Sequence, residues 1–380
     1  MRVGRRSVAL VCALVLGLAG CGGGSSKAPS APASQSGVAA PVPKANRLLL
    51  GATFDGPVLG AKVDLDGQMA LAAASGVQIL RVAFSWAAAE PRAGAAPDLA
   101  TTDRIVLAAA RRHLAVLPTV LNTPAWAGGG PPNAPPHDPA SFGRFLTALV
   151  ARYGPRGSLW PAHPGVAADP IRMWQIWNEP DFARYWAVQP FAPSYVRLLA
   201  AAHRALKAAD PAAQVVLAGL PEFSWQYLAE ILAVPGAAGD FDVAAAHPYT
   251  AAPTGVLTIL ERDRTALDAH GAGAKPLLAT EVTWPSSEGH APPQFGIGVT
   301  EAAQAQRVGA LLPMLAAARR RLRLLGALWY TWMGDESPAG SPYAFNYAGL
   351  VAYRSGRVAV KPALAAFRRT AAAVQSGAPG

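Results

Sequence analysis

The stretch Trp174–Phe182 reads WQIWNEPDF. It begins as a strand-like apolar run and ends in an amide, an acid and a proline. Proline has no N–H to offer a neighbouring strand, so Pro180 stops a hydrogen-bonded ladder where it stands. Asn178 and Glu179 are therefore set at the tip of a strand. A surface turn would account for one acid there. Chemistry of the acid–base kind needs a second carboxylate, and a fold that carries it to the same place.

Outward from this stretch, short strand-like runs alternate with helix-period segments. Strands are predicted at 47–54, 77–86, 114–122, 171–178, 214–219, 241–249, 275–284 and 322–333. Helical patterns follow each, among them Leu65–Ser75, TTDRIVLAAARR with a threonine or aspartate start, and DPASFGRFLTALVARY with Asp138 as N-cap and Pro139 at its first position. The last begins after Lys361–Pro362. Eight strand–helix pairs predict an α/β fold of the (β/α)8 TIM-barrel type. A doubly wound sheet would often carry a glycine-rich phosphate turn after its first strand; DGPVLGAKVD stands there instead. In such barrels the chemistry gathers on the loops where strands end.

Strand seven, KPLLATEVTW, ends as strand four does, with Glu281 after an apolar run and before the Trp284–Pro285 turn. Two glutamates at these tips would both face the barrel mouth. Such a pair suits glycoside hydrolysis with retention, which needs the carboxyls about 5–5.5 Å apart.

WNEP ending strand four, HPY ending strand six and TEVTW ending strand seven resemble the retaining glycosidases of clan A. WQIWNEPD is most similar to glycoside hydrolase family 39, with the family 5 cellulases as the alternative. The resemblance implies hydrolysis of β-linked O-glycosidic bonds by double displacement, Glu179 as general acid/base and Glu281 as nucleophile. It also implies Arg81 as the cation beside the nucleophile, Tyr249 as a phenol donor to it, and Asn178 as the amide on the sugar's 2-hydroxyl. His247 would order that wall, Trp332 would form the platform under the reacting sugar, and Asn122 and Trp126 would border a neighbouring subsite. Val282, Thr283 and Trp284 depart from the glycine-containing pair many clan members carry after the nucleophile, which bears on subfamily and substrate.

Seven tryptophans lie near strand ends: Trp86, Trp126, Trp177, Trp186, Trp284, Trp329 and Trp332. They suit either a carbohydrate groove or ordinary core. Asp335 and Glu336 in the long loop after strand eight read as solvated.

Residues 1–20 read as a bacterial lipoprotein signal peptide, with three arginines, a short apolar segment and the lipobox-like Leu18–Cys21, LAGC. Lipid on Cys21 would anchor the protein to the outer side of the cytoplasmic membrane. Residues 21–46 have the composition of a flexible tether reaching about 25–30 Å. Residues 47–380 remain for the catalytic domain. Cys12 falls in the leader, so the domain itself has no thiol for a disulfide, a nucleophile or a thiolate metal site.

The formal charge is +10, mostly arginine in an Ala-, Pro- and Gly-rich chain. Its one dense basic run, ARRRLRLL around Arg319–Arg323, ends a helical pattern and reads as a solvated face. No phosphate loop, HExxH or GxSxG motif occurs. No cofactor or metal is expected, and no nucleic-acid partner. The expected partners are a carbohydrate and, through Cys21, a membrane, with the chain acting as a monomer. Two other readings fit the same residues: a glycan-binding lipoprotein that does not cut, and a transglycosylase.

Overall fold

Eight parallel strands form the barrel in the computed structural model, which describes residues 47–292, 296–336 and 341–376. The leader, the tether and Cys21 lie outside the described residues. The strands are β1 (Leu49–Thr53), β2 (Ile79–Ser85), β3 (Ala115–Leu121), β4 (Met173–Ile176), β5 (Gln214–Val216), β6 (Ala244–Ala246), β7 (Leu277–Val282) and β8 (Leu324–Trp329). Their order is β5-β4-β3-β2-β1-β8-β7-β6. Parallel bridges Val216↔Val243 and Leu220↔Ala246 join the β5 edge to the β6 edge and close the ring. The predicted barrel is the observed fold.

The main outer helices are α1 (Leu65–Ala74), α2 (Ala100–Ala110), α3 (Pro139–Tyr153), α4 (Ala192–Ala209), α5 (Ser224–Leu232), α6 (Pro253–Ala269), α7 (Glu301–Leu322) and α8 (Pro362–Ser376). Asp138 caps α3, accepting from Ala140 N at 2.9 Å, with Pro139 at the first helical position as expected. The start of α2 differs: Asp98, before the predicted start signals, accepts from Ala100 N. A three-stranded sheet of β9 (Met333–Asp335), β10 (Val351–Arg354) and β11 (Arg357–Val360) carries the chain after β8.

The barrel interior is layered. Leu49, Ile79, Leu117, Val216, Ala245, Leu278 and Leu328 pack into a separate buried cluster inside the ring, contributed by seven of the eight strands. A second, larger apolar layer lies between strands and helices. Gly51 belongs to the crowded interior, since a Cβ there would lie 2.6 Å from the Ile79 carbonyl oxygen and 2.7 Å from Leu328 Cγ. Nearer the strand ends the buried side chains turn polar, with Thr53, Arg81, Thr119, Gln175, Thr280 and Glu281. Register explains the grouping, because Thr53 pairs with Arg81 and Thr119 with Gln175. The plug is apolar below and hydrogen-bonding above.

Several predicted strands are shorter than expected where they reach this polar end. Strand four ends at Ile176 because Trp177 (φ 70°) and Glu179 (φ 39°) take left-handed backbone conformations that no ladder continues. Strand eight was expected to run to Met333. It ends at Trp329, and Met333 begins β9. Glu336 corrects the expectation of a solvated acid: it is buried and binds Lys361 Nζ at 3.0 Å and Arg354 Nε at 2.7 Å, whereas Asp335 is exposed.

Candidate active site

Arg81 organises the centre of the barrel mouth. Its Nε donates to Gln175 Oε1 at 2.6 Å, Nη1 to Glu281 Oε1 at 2.5 Å and Nη2 to Asn178 Oδ1 at 2.6 Å. One planar fork thus ties β2 to β4 and β7. Gln175 is itself fixed, its Oε1 accepting from Thr119 Oγ1 and its Nε2 donating to the Leu217 carbonyl at 3.0 Å. A buried charge persists when it is paired and hydrogen-bonded, and here Glu281 pairs it while Gln175 and Asn178 accept from its other two nitrogens.

Glu281 projects from a register shift. Between Ala279 and Val282, β7 spends three residues where β8, from Ala327 to Trp329, spends two. The irregularity re-aims the side chain, as bulges do. Oε2 accepts from the Tyr249 hydroxyl at 2.5 Å while Oε1 accepts from Arg81. Burial alone would push this carboxyl up. The neighbouring His247 and the Arg81 guanidinium, with hydrogen bonds from Tyr249 and Arg81, outweigh burial and hold it below the usual carboxylate range. Burial and the nearby carboxylates raise the Tyr249 phenol well above its ordinary value, so it remains a donor.

Glu179 reaches the same point from β4. Its amide donates to the Gly219 carbonyl at 3.1 Å, seating the residue against the chain that follows β5. Its Oε1 lies 2.8 Å from His247 Nδ1, and that nitrogen is 3.6 Å from Glu281 Oε2. A carboxylate only accepts, so Nδ1 carries the hydrogen when Glu179 is ionised. His247 Nε2 is buried without a hydrogen-bond partner among the described residues. Gly219 makes room for it: a Cβ there would stand 1.8 Å from Nε2. Left-handed backbone at a residue as bulky as Trp177, one turn from this acid, is strain of the kind found at functional sites.

One oxygen of Glu179, one of Glu281 and a ring nitrogen of His247 all lie within 4.8 Å of one another. Three such atoms could ligate a cation. Here Glu281 already accepts at both oxygens and His247 Nδ1 points its hydrogen at Glu179. A metal at Glu281 Oε2, the oxygen nearer His247, would have to displace the Tyr249 hydroxyl 2.5 Å away. The arrangement fits proton transfer and a carboxylate held ready for attack better than it fits a metal.

Two cavities flank the pair. One of about 250 Å3 is bordered by Asp55, Arg81, Asn178, Glu281 and Tyr330. The other is bordered by Glu179, Arg184, Glu222, Tyr343 and Phe345, and also touches Asn178, Glu281 and Tyr249. Arg184 stacks on Tyr185 and approaches Glu179 Oε2 to 3.8 Å. Asp181 sits behind, its carboxyl pushed up to about 7 by burial and then by the Glu179 charge.

The structure brings Arg81, Asn178, Glu179, His247, Tyr249 and Glu281 together. Trp332 is a correction. It is fully buried, stacked on Phe54 with ring centroids 5.6 Å apart, and its Nε1 donates to Gln68. Its ring presents no face to a ligand, and Tyr330 borders both cavities instead. Trp126 donates to the Glu90 carbonyl and packs edge-on against Trp86, and Asn122 donates to Ser85 Oγ at 3.4 Å; neither borders the two cavities. Apart from the half-buried Trp126, the strand-end tryptophans are core: among the described residues the aromatic rings lining one cavity or the other are Phe182, Tyr249, Tyr343 and Phe345, with Tyr185 and Tyr330 lining both.

Sequence reasoning missed Gln175, Asp55, Glu222 and Arg184. Gln175 had a signal, as the one polar side chain inside the apolar run of strand four. Asp55 follows strand one directly, the same strand-tip rule that picks out Glu281.

No protein-family model matches the chain, and no curated protein matches it. Solved structures do. A family 39 glycoside hydrolase from Bacteroides cellulosilyticus WH2 superposes with a TM-score of 0.67 at 18% identity, over 86% of this chain and 64% of that one. This chain therefore spans less than two thirds of that enzyme. A glucosidase from Croceicoccus marinus gives a TM-score of 0.64 at 16% identity, over 87% and 68% of the two chains. A family 53 catalytic domain from Ignisphaera aggregans gives 0.58 at 18%, over 87% and 98%. The chain is thus similar in fold to (β/α)8 barrels from several glycoside hydrolase families.

Proposed function

We propose that the protein is a retaining glycoside hydrolase that cleaves β-linked O-glycosidic bonds of an oligo- or polysaccharide. The observation that carries this reading is the convergence of Glu179 and Glu281, from the tips of β4 and β7, with an oxygen of each inside a 4.8 Å cluster. That separation suits direct attack by one carboxylate rather than an intervening water. Their surroundings are unequal in the sense the chemistry needs. Glu281 is held ionised by Arg81 and Tyr249, as a nucleophile must be. Glu179 has no comparable clamp: its nearest guanidinium, Arg184, stands 3.8 Å away.

In the first step Glu179 gives its proton to the glycosidic oxygen while Glu281 bonds the anomeric carbon, and the aglycon leaves as an alcohol. Esterification removes the Glu281 charge, so Glu179 becomes the base that takes a proton from water as water attacks the same carbon. Glu281 then departs as a carboxylate. Asn178, oriented by Arg81, is placed to bind the hydroxyl next to that carbon.

A fluorinated or epoxide-bearing glycoside is expected to trap the ester and, on peptide mapping, to label Glu281. Label on another residue would overturn the assignment. Tyr249→Phe removes one of the donors that hold Glu281 ionised. Its carboxyl then rises, so the acid limb of kcat/KM against pH is expected to move to higher pH, with a loss of about 10- to 100-fold from one hydrogen bond to a charged group. An unmoved acid limb would remove Tyr249 from that role.

The LAGC motif and the tether-like composition of residues 21–46 support a further part of the reading, that the enzyme works outside the cytoplasmic membrane on a lipid anchor. Radiolabelled palmitate is expected in the wild-type chain and absent from Cys21→Ala. Equal labelling of both would dismiss the anchor.

A further inference from the structure

Resting on the glycosidase reading, we propose that Asp55 selects the sugar: its carboxylate receives two neighbouring hydroxyls of a neutral glycon, and the same cavity turns away a hexuronate. The placement begins with which sugar lies where. Glu281 and Asn178 border both cavities beside the catalytic pair, but Glu179 borders only one. The sugar that becomes bonded to Glu281 belongs on the side without the proton donor, and the departing alcohol belongs on the side with it. The glycon cavity is therefore the one walled by Asp55. At about 250 Å3 it holds the equivalent of roughly eight waters, the scale of a single sugar ring.

Asp55 stands one residue past β1, in extended backbone at φ −143°. Its carboxyl is oriented from behind. Thr331 Oγ1 donates to Asp55 Oδ1 and lies 2.8 Å from the Thr53 carbonyl. Among the described residues no Lys, Arg or His forms an ion pair with it within 4.0 Å. Burial raises the carboxyl, and the hydrogen bonds from Thr331 and Tyr330 offset that only in part. A carboxylate in this state gains from hydroxyl donors, and a sugar's vicinal diol presents two at a spacing a carboxylate can accept.

Charge gives the second half. A glycon carboxylate in this cavity would face Asp55 and Glu281. Among the described residues the only cation lining it is Arg81, whose Nε, Nη1 and Nη2 each already donate to Gln175, Glu281 or Asn178. Like charges brought together with no free cation are a device for rejecting the wrong ligand. The mouth is rich in acids, with Glu179, Glu222 and Asp181 beyond Asp55 and Glu281. Arg184, which approaches Glu179 Oε2 to 3.8 Å, borders the other cavity.

The test is calorimetric titration of wild type, Asp55→Asn and Asp55→Ser with methyl β-thiohexosides, whose sulfur linkage resists cleavage, and the matching thio-β-hexuronides. Wild type is expected to favour the best neutral glycoside over its uronide by about 100-fold, and Asp55→Asn to narrow that ratio at least about tenfold. Asp55→Ser is expected to lose neutral-glycoside binding at least about tenfold while its near-ultraviolet circular dichroism stays that of wild type. Equal binding of uronide by wild type, no binding of either class, or a ratio unmoved in both variants would overturn the proposal. Binding is read without cleavage, so the two readings fail separately. Absence of a trapped ester on Glu281 would sink hydrolysis and leave sugar selection standing, whereas labelled Glu281 with an unmoved ratio would sink Asp55 alone.

Discussion

Replacement of Glu281 by alanine is expected to abolish turnover, with kcat falling on the order of 10⁵- to 10⁶-fold, the scale seen when a nucleophile that works as part of a unit is deleted. In the proposed reaction this carboxylate bonds carbon, and no other acid accepts from both Arg81 and Tyr249 among the described residues. Deletion also strands the Arg81 guanidinium, 5% exposed, without its carboxylate. A buried charge that loses its partner costs about 3–5 kcal/mol of stability. Glu281→Gln should therefore be made in parallel, because it keeps an acceptor for Arg81 and a side chain of the same shape. A folded Glu281→Gln that retains more than about one-hundredth of wild-type activity would remove Glu281 from the reaction. Azide added to Glu281→Ala should enter the vacated space and give a glycosyl azide of inverted configuration.

Replacement of Glu179 by alanine is expected to act differently for different substrates. With a sugar as leaving group, protonation is indispensable and the loss should be about 10²- to 10⁴-fold, the range for a positioned general acid. An aryl glycoside with an acidic phenol needs little help to depart, so its glycosylation step should be nearly spared. The ester then accumulates, because the base for the second step is missing. A burst of phenol followed by slow turnover is the expected trace. Uniform loss across leaving groups would mean that Glu179 positions substrate without transferring a proton. His247 supplies an internal comparison: its Nδ1 contact to Glu179 Oε1 implies that removing the imidazole changes the pH profile more than it changes substrate binding.

Much of the fold was legible because an alternation of strand and helix patterns is a local signal, and eight repeats leave few closures to choose from. Glu179 and Glu281 were legible for a related reason, since each interrupts an apolar run beside a proline turn. What resisted reading was the direction of side chains around the mouth. Trp332 and Tyr330 are two positions apart after β8, yet one is sealed under Phe54 and the other opens on the cavity. Backbone geometry beyond the strand end decides that, and periodicity carries no information once the strand has stopped. The shift between Ala279 and Val282 is another case, because register depends on both partners. Gln175 and Asp55 were passed over for the opposite reason: each is a single polar residue whose importance rests on what Arg81 and Thr331, far along the chain, do to it.

The aromatic side chains are divided by task. Trp86, Trp174, Trp177, Trp186, Trp284 and Trp332 are sealed inside, while the rings open to the cavities are tyrosines and phenylalanines, several of them on segments that connect strands. Rings that hold the molecule together are thus separate from rings that line the cavities. A protein engineer could exchange the segments bearing Phe182, Tyr343 and Phe345 to retarget the catalyst, and leave its melting temperature almost where it began.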